Sequence, residues 1–475
     1  MGVASLFRLA LLCVASLGVA AGCARQQYVA RPLDTEAAAA AYAQRRTDDP
    51  RLKEFMVARG HFSADWPVQR WRLSELTLLA FHYRPELEVA RAQARAARAL
   101  AQVAAQRAPL TVSPLVQHHS EPGPEDTPWS LGFEVQIPLV AGARRAALIE
   151  QTDYLAQAAE LSVGSTAWQV RSEVRSRLLD VYAARQRTAS LDGEAQQQRA
   201  ALALLERRLQ AGYASITEVD TARLRLAQAE ADLAGARTEL ERALGGLAEA
   251  VSVPLARMRE IELSFSDLEP LPDSPAPGDA QRIALNNRLD MRRTLLEFAA
   301  ADAAVKLEVA RQYPTFTLRP GYLWDQGDNV WSLALDLALP ASLTHGPAIR
   351  AAEARREAAA QQVLLQQASV IGDLSTRLVT YLQAREGARR SAAAHFTQLD
   401  RSAQVQKRFD IGQVDRLDLT LARIETILTE RRALTGHVDA QRGLGALEDA
   451  LQMPLVGGPL PHLPQPSGAP QAPAQ

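Results

Sequence analysis

The sequence predicts a mainly α-helical protein that also carries a membrane β-barrel. The expected plan is an internal duplication of helix, β-hairpin, long helix, turn and helix, with four strands per protomer and a trimeric 12-stranded barrel standing on a long α-helical barrel. Three observations lead there. Aromatic residues make up only 5% of the 475, while Ala, Leu, Arg, Gln and Glu dominate, a bias of long helices rather than of sandwiches or open α/β sheets. Landmarks recur at a nearly constant spacing across the chain. Short segments alternate apolar and polar residues with the period of a half-buried strand, and their hairpin partner Leu110–His119 does so less cleanly.

The recurrence can be read off the numbering. Arg208-Leu-Gln-Ala-Gly212 returns as Arg408-Phe-Asp-Ile-Gly412 and Val253-Pro254 as Met453-Pro454, both at an offset of 200. Trp129-Ser130 returns as Trp331-Ser332 at 202, and Arg84-Pro-Glu-Leu87 pairs with Arg288-Leu-Asp-Met291 at 204. Independent landmarks that keep one offset within a few residues define two copies of one plan.

The elements follow in order. Arg8, the uncharged stretch Leu9–Gly22 and then Cys23 read as a signal peptide over 1–22, whose apolar region is too short for a permanent span. Small residues before Cys23 match the lipobox of bacterial lipoproteins, with Ala20 in place of the usual Leu; ordinary signal-peptidase cleavage is the alternative. Cys13 is the other cysteine and lies in the removed segment, so no disulfide forms in the mature chain. Residues 23–70 read as a mostly irregular, lipidated arm. After residue 23 no run of 18 apolar residues occurs, so any membrane crossing must be made of strands.

The first repeat spans 71–265. It opens with a helix from Leu73 to Arg107, stopped by Pro109, and continues with strands over about 110–119 and 129–139. In the second strand Trp129, Leu131, Phe133, Val135, Ile137 and Leu139 alternate with Ser130, Gly132, Glu134, Gln136 and Pro138. Residues 144–211 then contain no proline, and at 1.5 Å per residue they make a rod of about 100 Å. In the return helix Val219, Leu226, Leu233, Leu240 and Leu247 recur every seven residues, as do Ala222, Ala229, Ala236, Ala243 and Ala250. That is a coiled-coil seam whose alanines permit close approach. A Pro-rich linker, 266–280, leads to the second repeat, 281–453, with strands at about 315–325 and 330–339; a disordered Pro-rich tail fills 454–475. The second seam, with Thr426, Gly436 and Gly443, is smaller and more polar, implying packing that is looser, or tighter to a different neighbour.

Four strands cannot close a barrel, and an open sheet in lipid leaves backbone groups unpaired, so the chain must oligomerise. Three copies supply twelve strands.

The order of elements behind a lipobox, with Arg208-Leu-Gln-Ala-Gly212…Thr217-Glu218-Val219 and Arg408-Phe-Asp-Ile-Gly412…Leu417-Asp418-Leu419, resembles the TolC-like outer-membrane factor family over about residues 71–455. The resemblance implies a homotrimeric channel-tunnel in the outer membrane, lipid-anchored and extending into the periplasm. It would work with a periplasmic adaptor and an inner-membrane transporter as the passive exit of a tripartite efflux pump. The type I secretion counterpart is an alternative, and a lipid-anchored periplasmic coiled-coil scaffold without a pore is a reading from a different class, disfavoured by strands with one wet and one greasy face. The resemblance also places Arg208, Gly212, Arg408 and Gly412 at the periplasmic tip, where adaptors dock. From the residues alone, the glycines are left-handed helix ends and the arginines favourable dipole partners. Glu218 and Asp418 have two readings: capping-box acids after Ser215 and Asp415, or gate acids ringing a constriction. Trp129, Trp324 and Trp331 are candidates for the aromatic belt of the barrel.

Other classes find little support. A formal charge of -1 gives no global attraction to nucleic acid. Walker, His-Glu-x-x-His, Gly-x-Ser-x-Gly and Cys-His patterns are missing from the sequence, so neither catalysis nor a cofactor is expected. His118-His119 beside Glu121, Glu125 and Asp126 reads as an exposed polar loop rather than a metal site, and the five methionines are too dispersed for a soft-metal relay.

Overall fold

A computed structural model describes residues 28–60, 66–121, 127–139, 142–338 and 345–456. The signal peptide, Cys23, Glu125, Asp126, Leu339 and the tail from 457 onward lie outside the described residues. The chain divides into two units at Arg45/Arg46. Within the first, helix α1 (Thr35–Ala43) is capped by Asp34, whose carboxylate accepts from the N–H groups of Glu36 and Ala37, and none of its residues is buried. The arm expected to be irregular thus holds a helix here and another, α2 (Pro50–Val57), at the start of the second unit. Asp49 as cap and Pro50 in the first turn set the latter. Both caps are legible signals that outweigh the lack of apolar period.

In the second unit the repeat plan is explicit. Strand β1 (Arg70–Trp71) precedes α3 (Leu73–Tyr83), α4 (Pro85–Ala105), the hairpin β2 (Thr111–His118) and β3 (Trp129–Leu139), the long α5 (Gly142–Gln210) and its return α6 (Ile216–Val251). Short α7 (Leu255–Arg259) and β4 (Glu262–Leu263), paired in parallel with β1, lead through a 3-10 turn to the second repeat. There α8 (Pro277–Asn287), α9 (Leu289–Ala310), β5 (Thr315–Asp325), β6 (Asp328–Ala338), α10 (His345–Asp410) and α11 (Arg416–Leu451) repeat the order. The return helices begin and end exactly 200 positions apart, and so do the C-termini of the long ones.

The single helix expected over Leu73–Arg107 is two. Arg84 is extended (φ -70, ψ 120) because the following Pro85 disfavours helical geometry at its predecessor. Arg288 breaks the second copy at the same place (φ -62, ψ 119) with no proline. Here the cause is tertiary: Leu289 N–H donates to Gln452 Oε1 at 2.6 Å, and Arg288 binds Asp290 at 2.6 Å. Both arginines make the same clamp. Arg84 donates to the Ala250 carbonyl and pairs with Glu173; Arg288 donates to the Ala450 carbonyl and lies 3.7 Å from Asp373. The duplication therefore extends to individual hydrogen bonds.

Leu52, Met56, Trp71, Leu76, Leu79 and Phe81 pack on Val174, Leu178 and Leu179 of α5 and Leu247 and Val251 of α6, forming the main core. A smaller core joins Ala280 and Ala284 to Val370, Leu374, Tyr381, Leu444 and Leu447. In the second seam the small residues mark a closer approach, not a looser one. A Cβ on Gly443 would sit 3.2 Å from the Tyr381 Cα, and one on Gly436 3.3 Å from the Ala388 Cα.

Candidate functional site: a two-faced sheet and a double-turn tip

The four long strands form one antiparallel sheet in the order β2-β3-β5-β6, so the two hairpins pair with each other across the repeats. β6 starts two residues before its expected position because Gln326 and Gly327 (φ 52 and 115) make a tight hairpin turn directly after Asp325. Register puts like beside like. Val116, Leu131 and Trp324 share one row, Pro114, Phe133, Tyr322 and Trp331 another, and Leu139, Phe316 and Leu337 a third. Apart from His118 and Asn329 near the hairpin ends that face is apolar, and Trp331 is 78% exposed on it in the single chain.

The three tryptophans fall near the hairpin ends of the strands. Trp129 lies edge-on to His118 at 4.7 Å, Trp331 is 4.7 Å from Tyr322, and Trp324 is opposite Leu131. His118 therefore belongs to the apolar row. His119 instead faces Ser130 (Nε2···Oγ 2.8 Å), whose hydroxyl donates to Asp325. Among the described residues no three His, Cys, Asp or Glu side chains gather as a metal site.

The opposite face is wet, and it contains a group that the sequence alone did not single out. Arg319 on β5 reaches Glu134 on β3 and Asp336 on β6, both at 2.8 Å, a clasp across three strands. Arg319 is the single cation in the four strands; that count was available, but its partners required the register.

The tip places its expected residues in two near-identical turns. Gly212 (φ 77) and Gly412 (φ 74) occupy the left-handed position. Tyr213 N–H donates to the Arg208 carbonyl at 2.7 Å and Gln413 N–H to the Arg408 carbonyl at 2.8 Å, the Schellman closure that only glycine accepts without strain. Ser215 and Glu218 form a reciprocal capping box, as do Asp415 and Asp418. Donation from the Ser215 backbone N–H, then from its hydroxyl, holds the Glu218 carboxyl below its ordinary value. The Arg208 side chain spends itself inside the chain: it pairs with Asp415, so the end of the first long helix holds the cap of the second return helix. Tyr213 and Ile411 project at 84% and 69% exposure.

One polar cluster went unread in the sequence. Where α5 crosses α11, Glu448, 1% exposed, meets Arg171 Nη1 at 3.2 Å and Arg175 Nε at 3.4 Å. Arg175 also binds Gln441 through its carbonyl and side chain, and Asp449 accepts from Trp168 Nε1 at 2.8 Å and Ser172 at 2.6 Å. Burial lowers the Arg175 value and raises that of Asp449. No local pattern links residues some 270 positions apart.

Residues 79–252 match the family model described as outer membrane efflux protein. Cobalt-zinc-cadmium resistance protein CzcC of Cupriavidus metallidurans is 26% identical over 207 residues, 44% of this chain and 49% of that protein, so the chain spans about half the length of the curated relative it matches. VceC of Vibrio cholerae shares the fold with a TM-score of 0.64 at 20% identity, over 80% of this chain and 96% of its own. The open MtrE channel of Neisseria gonorrhoeae does so with a TM-score of 0.61 at 18% identity, over 81% and 89%. Over residues 79–252 the sequence thus matches the outer membrane efflux protein family, and over four-fifths of its length the chain shares the fold of solved outer-membrane channel structures.

Proposed function

We propose that the chain is one protomer of a homotrimeric outer-membrane channel-tunnel, the passive exit of a tripartite efflux pump. The observation that carries this is the sheet: one apolar face, one wet face, and outer strands β2 and β6 with no further strand beyond them among the described residues. In lipid those edges must be paired, and strands from two more copies would close twelve into a barrel whose wet face lines the lumen. No described helix is long and apolar enough to cross a membrane, so the strands are the spanning elements on this reading.

The remaining roles follow from that placement. Trp129, Trp324 and Trp331 would sit at one lipid–water boundary, with Cys23 lipidated as an additional anchor. The turns at Gly212 and Gly412, bracketed by Arg208 and Arg408, would meet a periplasmic adaptor that links the tube to an inner-membrane transporter, and exposed Tyr213 and Ile411 offer it apolar purchase. Glu218 and Asp418, besides capping, would line the constriction. The name of the Cupriavidus relative makes divalent transition-metal cations the first cargo to test.

The test is purification in detergent. A three-chain particle by native mass spectrometry, heat-dependent gel mobility and stepwise conductance in planar bilayers are expected. A monodisperse single chain, soluble without detergent, refutes the proposal.

A further inference from the structure

The end of the sheet farthest from the helices holds a polar cluster that the efflux reading leaves without a task. Along the wet face Gln117, Ser130, Asp325 and Asp328 form one row. His119 lies two residues past Gln117 on the same face, and its backbone N–H donates to the Pro128 carbonyl at 2.7 Å, which extends the β2–β3 ladder by one rung. The imidazole is thereby held over Ser130, Nε2 to Oγ 2.8 Å, and 3.4 Å from Asp325 Oδ1. So β2 and β3 of the first repeat meet β5 of the second in one small group of side chains.

The protons of this cluster can be assigned by count. The Ser130 hydroxyl has one, and it goes to Asp325. Ser130 must then accept from His119, so Nε2 carries the proton of the ring and Nδ1 keeps a lone pair. Serine, histidine and aspartate here are not a nucleophilic triad: the serine proton points to the carboxylate instead of the imidazole, and Ser130 is 0% exposed. What remains to the ring is a second proton at Nδ1, and the half-buried side chain is open to solvent for it. The charged groups described at this end are all acidic: Glu121 after β2, Asp325 on β5 and Asp328 at the start of β6, with none from β3. His118 turns to the apolar face against Trp129, and Arg319, six residues back along β5, is spent on Glu134 and Asp336.

Resting on the barrel reading, we propose that His119 is a proton-operated staple at the outer mouth of the channel. The uncharged ring bonds Ser130 alone and holds β2 to β3. Uptake of a proton from solvent at Nδ1 makes the ring cationic with Nε2–H still in place. That hydrogen is then drawn to Asp325 as well, forming an ion pair that fastens the first hairpin to the second. The same proton cancels one negative charge per chain at a rim whose acids favour the passage of cations. Acid outside the cell therefore tightens the seam between the hairpins and lowers the cation preference of the exit, and neutral medium reverses both.

Two measurements on the full chain test this. In detergent-solubilised protein carrying isotope-labelled histidine, the nuclear magnetic resonance signal that His119→Gln removes should titrate. Asp325→Asn should move its midpoint to lower pH, because the carboxylate that favours the charged ring is gone. A signal that does not titrate between about pH 5 and about pH 8, or whose midpoint is the same in Asp325→Asn, overturns the staple. In planar bilayers under a salt gradient, acidifying the outer side across that range should shift the reversal potential of the wild type toward zero and leave that of His119→Gln unmoved. An equal shift in both overturns the role of the rim charge. Absence of conductance from every form defeats the channel reading instead, and the titration still decides the staple. Gln keeps a donor for Ser130 and Asn an acceptor for its hydroxyl, so neither variant leaves that buried group unpaired.

Discussion

Glu448→Gln removes one charge and almost no volume, which makes it the sharpest probe of what joins the repeats. The wild-type carboxylate faces two guanidiniums at 3.2 and 3.4 Å, and its other oxygen accepts the N–H groups of Leu455 and Val456 at 2.7 and 3.2 Å. Arg171 and Arg175 are each 5% exposed, so water cannot replace the lost charge. Breaking a buried pair from one side costs about 3–5 kcal/mol, most of it the penalty of the stranded partner. Urea unfolding followed by far-ultraviolet circular dichroism should show a loss in that range. Adding Arg171→Met and Arg175→Met to Glu448→Gln should recover part of it, because no charge is then left unpaired while the amide oxygen still accepts the Leu455 and Val456 N–H groups. A loss below about 1 kcal/mol for Glu448→Gln, the scale of an exposed pair such as Arg257–Glu260, would refute the assignment of this cluster as a buried ionic joint.

Four further outcomes are expected. Gly443→Ala should destabilise despite a helix-propensity gain of about 1 kcal/mol, since its Cβ meets the Tyr381 backbone, whereas Gly387→Ala, with open space around it, should stabilise by about that amount in the same unfolding assay. Because the folded-state value of Glu218 is depressed, its bonds to Ser215 act above the ordinary carboxylate value of 4.5 and are lost as pH falls through the lower, folded value; amide exchange at the start of α6 should rise in that window, and not in Glu218→Ala. Asp418→Ala should increase small-ion conductance of purified trimers in a bilayer, and unchanged conductance counts against the gate. Arg319→Gln leaves Glu134 and Asp336 without their shared cation and should destabilise the sheet, less so in high salt; an effect independent of salt would contradict an electrostatic clasp.

What could be read in advance follows the range of the forces involved. β3 and β5 occupy the expected residues because strict alternation is a local signal, and the long helices end where Gly212 and Gly412 announce a left-handed turn. The break at Arg84 was also legible, since Pro85 follows it, but an unbroken helical composition on both sides obscured it. Its counterpart at Arg288 was not legible, being held by Gln452 and Ala450 from another helix. The same holds for the candidate site. Capping boxes lie within four residues and were foreseen, while the Arg208–Asp415 pair, the Arg319 clasp and the Glu448 cluster exist only once strands or helices have found their register.

That distribution of bonds bears on how the proposed gate works. Of the ion pairs that join the repeats along α5, the Glu448 cluster alone is sealed from water, and Asp180 with Arg442 is already exposed one to two turns beyond it. Glu448 is sealed with Arg171 and Arg175; Glu194 with Arg431, farther along, is partly exposed; and Arg208 with Asp415, at the last turn, stands 38% and 48% exposed. An exposed pair of this kind is worth about 0–1 kcal/mol. Separating the tips would forfeit little else: Asp415 uses Oδ1 to cap the N–H groups of Leu417 and Asp418 and offers Oδ2 to Arg208, so the helix start survives release of the arginine. A partner that pulls the two turns apart therefore meets about 1 kcal/mol of resistance per chain from this pair, while prying the repeats apart at their middle would meet several times more. On the proposed gate, opening is expected to begin at the tip and to stop before the Glu448 cluster, the fixed end of the lever.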